Sequence, residues 1–122
     1  MDKNTYTDFN EMMRERTKKF ALDIIKLSEL FSSQTSSKVL EKQLLRSATS
    51  VAANFRAACR GRSKNEFYSK ICIVVEESDE TQFWLELIKE SNMISDIHIN
   101  PLLNEISEII AIVTSIKHKL KQ

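Results

Sequence analysis

Residues 43–54 read Gln43-Leu44-Leu45-Arg46-Ser47-Ala48-Thr49-Ser50-Val51-Ala52-Ala53-Asn54. Leu44 and Val51 share one helical face, and Leu40, Phe55 and Ala58 extend it in both directions. The spacing predicts a helix over about residues 38–60. Its centre is made of small side chains on every side, which lets neighbouring helices approach closely. Asn54 falls beside the apolar stripe, so it is expected to be buried and hydrogen-bonded. Arg60-Gly61-Arg62 follows, with Gly61 placed to end the helix.

On both sides of this helix the same periodicity recurs, three times in all. Phe9, Met13, Phe20, Ile24, Leu27 and Phe31 mark one face of a first helix over about 9–31. The polar run Ser32-Ser33-Gln34-Thr35-Ser36-Ser37 breaks it, and Ser36 or Ser37 is expected to cap the second helix. After Gly61, Ser63-Lys64-Asn65-Glu66 matches the S-x-x-E capping box and opens a third helix over about 64–92. That helix carries two stripes. Phe67, Ile71, Val74, Leu85 and Ile88 make the first, with Ser78 and Thr81 at its centre. Ile73, Glu77, Glu80, Trp84 and Leu87 make the second, a candidate surface for a neighbouring subunit. Asn100-Pro101 reads as cap and first position of a fourth helix over about 101–120, whose apolar stripe runs from Leu102 to Leu120.

One glycine and one proline in 122 residues leave little material for turns, which argues against a sheet protein. A 42% hydrophobic chain of this length buries one core, so residues 1–122 are expected to form a single all-α domain. Short connections make it an antiparallel up-down four-helix bundle. Cys59 and Cys72 cannot form a disulfide framework and are expected to be reduced and buried. No stretch approaches the uncharged apolar length of a membrane span, and residues 1–16 hold no apolar signal core. The expected location is the cytoplasm, with no membrane partner.

The 18 basic and 17 acidic side chains nearly cancel, but they are unevenly placed. From Lys42 to Asn65 there are six cations and no acid. Arg46, Arg56, Arg60, Arg62 and Lys64 are candidates for contacting nucleic-acid phosphates. The third helix is acidic, with Glu76, Glu77, Asp79, Glu80, Glu86 and Glu90. The plainer alternative is that these helices neutralise each other, within one chain or between subunits. The carboxylates could be read as a di-metal site, but that needs Glu-x-x-His motifs, and neither His98 nor His118 follows a glutamate by three. No nucleophile–base pairing is apparent. The expectation is therefore no enzyme, no metal and no cofactor.

The stretch 43–54, followed by Phe55-Arg56-Ala57-Ala58-Cys59-Arg60 and later by Glu76-Glu77-Ser78-Asp79-Glu80-Thr81 and Trp84-Leu85-Glu86-Leu87, resembles a bacterial four-helix bundle family. That family includes proteins encoded in intervening sequences of large-subunit ribosomal RNA genes. It is similar to the accessory variability determinant of diversity-generating retroelements. The resemblance spans nearly the whole chain. It implies a bundle that assembles as a homopentamer and has no enzymatic activity. By the retroelement likeness it implies RNA or DNA as a partner, with a reverse transcriptase or another protein as the alternative. Much of the family carries an acid two or three positions after the motif's asparagine. Here Arg56 and Ala57 stand there, which makes this helix more basic than its relatives.

Overall fold

The computed structural model describes the backbone of residues 3–121 and the side chains of residues 8–121; Met1, Asp2 and Gln122, the ends of the expected 1–122 domain, lie outside the described residues. Four helices follow in order: α1 (Lys3–Leu27), α2 (Thr35–Cys59), α3 (Lys64–Glu90) and α4 (Asp96–Lys121). A short 3-10 turn, Ser28–Leu30, ends α1. Each connection is a few residues long, so successive helices reverse direction. Helix α2 packs most extensively on α3, α3 on α4, and α1 on α2, while α1 closes more lightly on α4. The fold is the all-α four-helix bundle.

The 3-4 spacing does what amphipathic periodicity requires. Phe20 and Ile24 of α1, Leu44, Val51 and Phe55 of α2, Ile71, Val74, Leu85 and Ile88 of α3, and Ile106, Ile109 and Val113 of α4 are all buried. Between α2 and α3 the small residues Ser47 and Ala48 meet Ser78 and Thr81, each fully buried. The Thr81 and Ser47 hydroxyls hydrogen-bond at 2.9 Å, and each also reaches a carbonyl one turn back, Glu77 at 2.7 Å and Leu44 at 3.3 Å. The neighbouring Ser78 Oγ is buried with no partner among the described residues. A buried hydroxyl that makes no bond costs its desolvation and returns nothing. Ser78→Ala is therefore expected to raise stability by about 1 kcal/mol in urea denaturation. A loss of comparable size would show that the hydroxyl has a partner.

Helix ends depart from expectation in instructive ways. Helix α2 starts at Thr35, with Gln34 as N-cap and no side-chain cap bond. Neither Ser36 nor Ser37 caps it; the buried Ser37 hydroxyl accepts from the Ser32 N–H at 3.0 Å and ties down the loop instead. Ser63 does cap α3, accepting from the Glu66 N–H at 3.1 Å. The reciprocal half of the box shifts by one residue: Glu66 accepts from the Arg62 N–H. Gly61 does not adopt a left-handed turn. A Cβ there would sit 3.2 Å from both the Ala58 carbonyl and the Phe67 nitrogen, so close approach of α2 to α3 explains the glycine.

Asn92 takes the left-handed position at the end of α3, with φ 58°. The Met93 N–H bonds to the Ile88 carbonyl at 3.2 Å and the Asn92 N–H to Lys89 at 3.1 Å, the paired bonds of a Schellman ending. Helix α4 begins at Asp96, five residues before the expected Pro101 start, and Pro101 lies inside it. Pro101 has no N–H to offer the Ile97 carbonyl. Ile94 and Ile99 are buried beneath this first turn, and that burial outweighs the missing bond. Asn100 does not cap the helix; its Oδ1 accepts from Lys89 Nζ at 2.6 Å. Helix α4 is long and apolar enough to span a membrane by length and composition, but its Ile99, Leu102, Ile106, Ile109 and Val113 stripe is buried in the bundle. Cys59 and Cys72 are free and half-buried rather than fully enclosed.

Candidate functional site

Helical geometry separates the arginines that the sequence grouped. Ten residues advance a helix by about 1,000°, some 80° short of full turns, so Arg46 and Arg56 point to different neighbours. Arg46 turns to α3. Its guanidinium reaches Glu77 at 3.2 Å and Glu80, so the charge is neutralised within the chain. Glu80 also accepts from the Trp84 indole N–H at 3.3 Å. Three members of the candidate subunit-contact stripe, Glu77, Glu80 and Trp84, are thus engaged inside the chain. Ile73 is half-buried and Leu87 is 37% exposed. At the helix junction, Arg62 contacts Glu66 at 3.5 Å, while Lys64 lies on another face of the junction with Asn10 and Leu120.

Arg56 and Arg60 turn the opposite way, toward α1. One helical turn apart, they face Arg14 and Lys18, themselves one turn apart on α1, across a groove of about 550 Å³. Thr49, Ala52, Ala53 and Ala21 form its floor. The small side chains of the 43–54 stretch that let α2 pack closely also keep this floor low. The groove holds four cations and one carboxylate, the exposed Glu15. None of the four cations has an ion-pair partner among the described residues. The positive field extends to neighbouring groups. Burial pushes the Cys59 thiol above its ordinary value, and the Arg14 charge pulls it partly back.

Elsewhere on α1, Lys19 pairs with Asp23 and Arg16 with α4. Arg16, two residues from Arg14, forks onto Glu105 of α4 with both bonds at 2.7 Å and lies 3.4 Å from Glu108. The bonds to Glu105 hold its guanidinium charged well above the ordinary arginine value, despite the opposing effect of burial. This clamp secures the lightly packed α1–α4 seam. Arg14 and Lys18 lie one step around the same helix, share the groove with Arg56, Arg60 and the lone carboxylate of Glu15, and form no ion pair among the described residues. Like charges one turn apart repel by a few tenths of a kcal/mol each, so the groove gains from any anion that enters it. The sequence reading missed Arg14 and Lys18, because α1 was read for its apolar stripe and the cations of Arg14-Glu15-Arg16-Thr17-Lys18-Lys19 were not weighed. The i, i+4 pairing of cations on α1 was visible, but its meeting with Arg56 and Arg60 depends on how α1 lies against α2.

The carboxylates of α3 divide as well. Glu77 and Glu80 hold Arg46, whereas Glu76, Asp79, Glu86 and Glu90 have no ion-pair or hydrogen-bond partner among the described residues. Among the described residues no cluster of three or more His, Cys, Asp or Glu side chains has the arrangement of a metal site.

The comparisons agree with this architecture. The family described as 23S rRNA-intervening sequence protein matches residues 10–115. A crystal structure of a protein with unknown function from the S23 ribosomal protein family of Bacteroides thetaiotaomicron superposes with a TM-score of 0.81 at 30% identity. The alignment covers 93% of this chain and 98% of that one. No protein with a curated description matches.

Proposed function

Because the chain belongs to the 23S rRNA-intervening sequence protein family, we propose that it is a non-enzymatic, self-associating cytoplasmic protein that binds nucleic acid through the phosphate backbone. The observation that carries this reading is the groove between α1 and α2, where Arg14, Lys18, Arg56 and Arg60 converge with one carboxylate, Glu15, and no ion pair among the described residues. Unpaired guanidinium and ammonium groups on a low, open floor suit a strand of phosphates. Contacts of this kind position a nucleic acid without reading its bases. The residues expected to matter are Arg56 and Arg60 from the original candidates, joined by Arg14 and Lys18. Arg46, held by two carboxylates, is not among them. Homo-oligomers of five subunits are the assembly that the family resemblance implies.

Fluorescence anisotropy with single-stranded RNA and duplex DNA, repeated across a salt series, tests the reading. Four phosphate contacts on single-stranded RNA predict a log–log salt slope of about −3 and roughly fifty-fold weaker binding between about 50 and 200 mM salt. Absence of binding at low salt would remove the nucleic-acid clause.

A second reading is supported by α3, where Phe83 is 50% and Leu87 37% exposed among unpaired acids. A half-exposed aromatic beside apolar surface is suited to a protein partner. In this reading the chain is an adaptor, for a reverse transcriptase or another protein, with no direct nucleic-acid contact. Pull-down with and without nuclease separates the two.

A further inference from the structure

The solvent-facing side of α3 carries Glu76, Asp79, Phe83, Glu86 and Glu90, spaced 3, 4, 3 and 4 residues apart, and all five are exposed. They form one straight stripe, opposite the buried stripe of Ile71, Val74, Leu85 and Ile88. The stripe is about 21 Å long at the helical rise. Its four carboxylates are unpaired among the described residues, and Phe83 stands at its centre. The Phe83 ring packs against Trp84 with centroids 5.2 Å apart at 58°, which supports it while half of it remains in solvent.

The groove between α1 and α2 is the complement in net charge, with four cations against one carboxylate, Glu15. It offers four unpaired cations to four unpaired carboxylates. Its floor of Thr49, Ala52 and Ala53 leaves room for a ring at the middle of the approaching helix. The α2 wall from Thr49 to Arg60 is about 16 Å long, close to the length of the stripe. Within one chain the two surfaces cannot meet, because α3 is packed on α2 and α4 and its stripe points away from both. A second copy brings them together.

We propose that the outer stripe of α3 from one copy seats in the α1–α2 groove of another, with Phe83 on the alanine floor and Asp79 and Glu86 among the arginines. The two surfaces lie at different places on the molecule, so the contact is head-to-tail and propagates into a closed ring or an open chain. The same cations then serve two ligands, and nucleic acid competes with assembly for the groove. The competition rests on the phosphate reading above; the contact does not.

Light scattering at low salt on three proteins tests the contact: wild type, the stripe reversal Asp79→Lys/Glu86→Lys, and the groove reversal Arg56→Glu/Arg60→Glu. Wild type is expected to exceed the monomer mass. Each reversal alone is expected to be monomeric with an unchanged helical circular dichroism spectrum, and an equimolar mixture of the two is expected to regain a higher mass. Recovery by mixing cannot come from two misfolded proteins. A monomeric wild type, a reversal that keeps the wild-type mass, or folded reversals that fail to associate when mixed would each overturn the contact. For the competition, Phe83→Ala changes no charge. It is expected to lower the mass and to bind RNA more tightly, by about five-fold where roughly four-fifths of the grooves are occupied. Equal RNA affinity in Phe83→Ala and wild type would overturn the competition. No RNA binding by either protein would end the phosphate reading, and the competition with it, while leaving the mass results standing.

Discussion

Phe55→Ala is expected to lose about 3–5 kcal/mol of folding stability. Phe55 is fully buried, and it lies in the core cluster with Val51 and Ile71. Removing the ring forfeits its transfer free energy and leaves a cavity that rigid neighbouring helices close only in part. Domains of this kind are stable by only about 5–15 kcal/mol, so the loss is about a fifth of the total or more. Urea denaturation followed by circular dichroism measures it, with protein concentration held fixed because association shifts the apparent stability. Val39→Ala, on the same helix but 52% exposed, serves as the comparison and is expected to change stability by under about 1 kcal/mol. Similar losses at the two sites would mean that α2 is rotated from the orientation described.

The second large effect concerns the groove. Arg56→Gln/Arg60→Gln is expected to weaken RNA binding about 25-fold at roughly 0.1 M salt, and to make the salt slope shallower by about 1.4. Both figures follow from losing two of four phosphate contacts. The informative contrast is Arg46→Gln, which removes one arginine charge, half as many, from the same helix. Arg46 already holds Glu77 and Glu80, so its loss is expected to leave RNA affinity nearly unchanged. Its side chain is 47% exposed, so the cost in stability is expected to stay under about 1 kcal/mol. If Arg46→Gln weakened binding about five-fold, half the logarithmic effect of the groove pair, affinity would follow total charge, and the groove would have no special role. Arg14→Gln probes the other wall, and a loss there would require that α1 contributes to the same site.

Apolar periodicity was enough for the existence of the four helices and most of the core, and the short connections between them for the antiparallel order. Leu44, Val51, Ile71 and Ile109 are buried where their spacing puts them, because burying one face is the dominant favourable contribution for each helix and depends only on residue order. The cap at Ser63 was legible for a similar reason, since donor and acceptor lie within one turn. Local signals failed where distant burial competed with them. Asn100-Pro101 has the local chemistry of a helix start, yet Ile94 and Ile99 bury and draw the helix back to Asp96. Gly61 was placed correctly as punctuation, but its cause is contact between helices rather than backbone handedness.

The candidate site was legible only in half. A basic α2 and an acidic α3 are visible in residue order, and so is the crowd of small residues between them. Which cation is spent within the chain and which is left over is a matter of rotation and of neighbours. Arg46 is neutralised because antiparallel packing sets Glu77 and Glu80 beside it, and Arg56 and Arg60 remain without an ion pair among the described residues because α1 brings two cations, Arg14 and Lys18, against one acid, Glu15. Hydrophobic burial is additive along one helix and can be read from its pattern, whereas Coulomb interactions act through space between helices and take their sign from the packing.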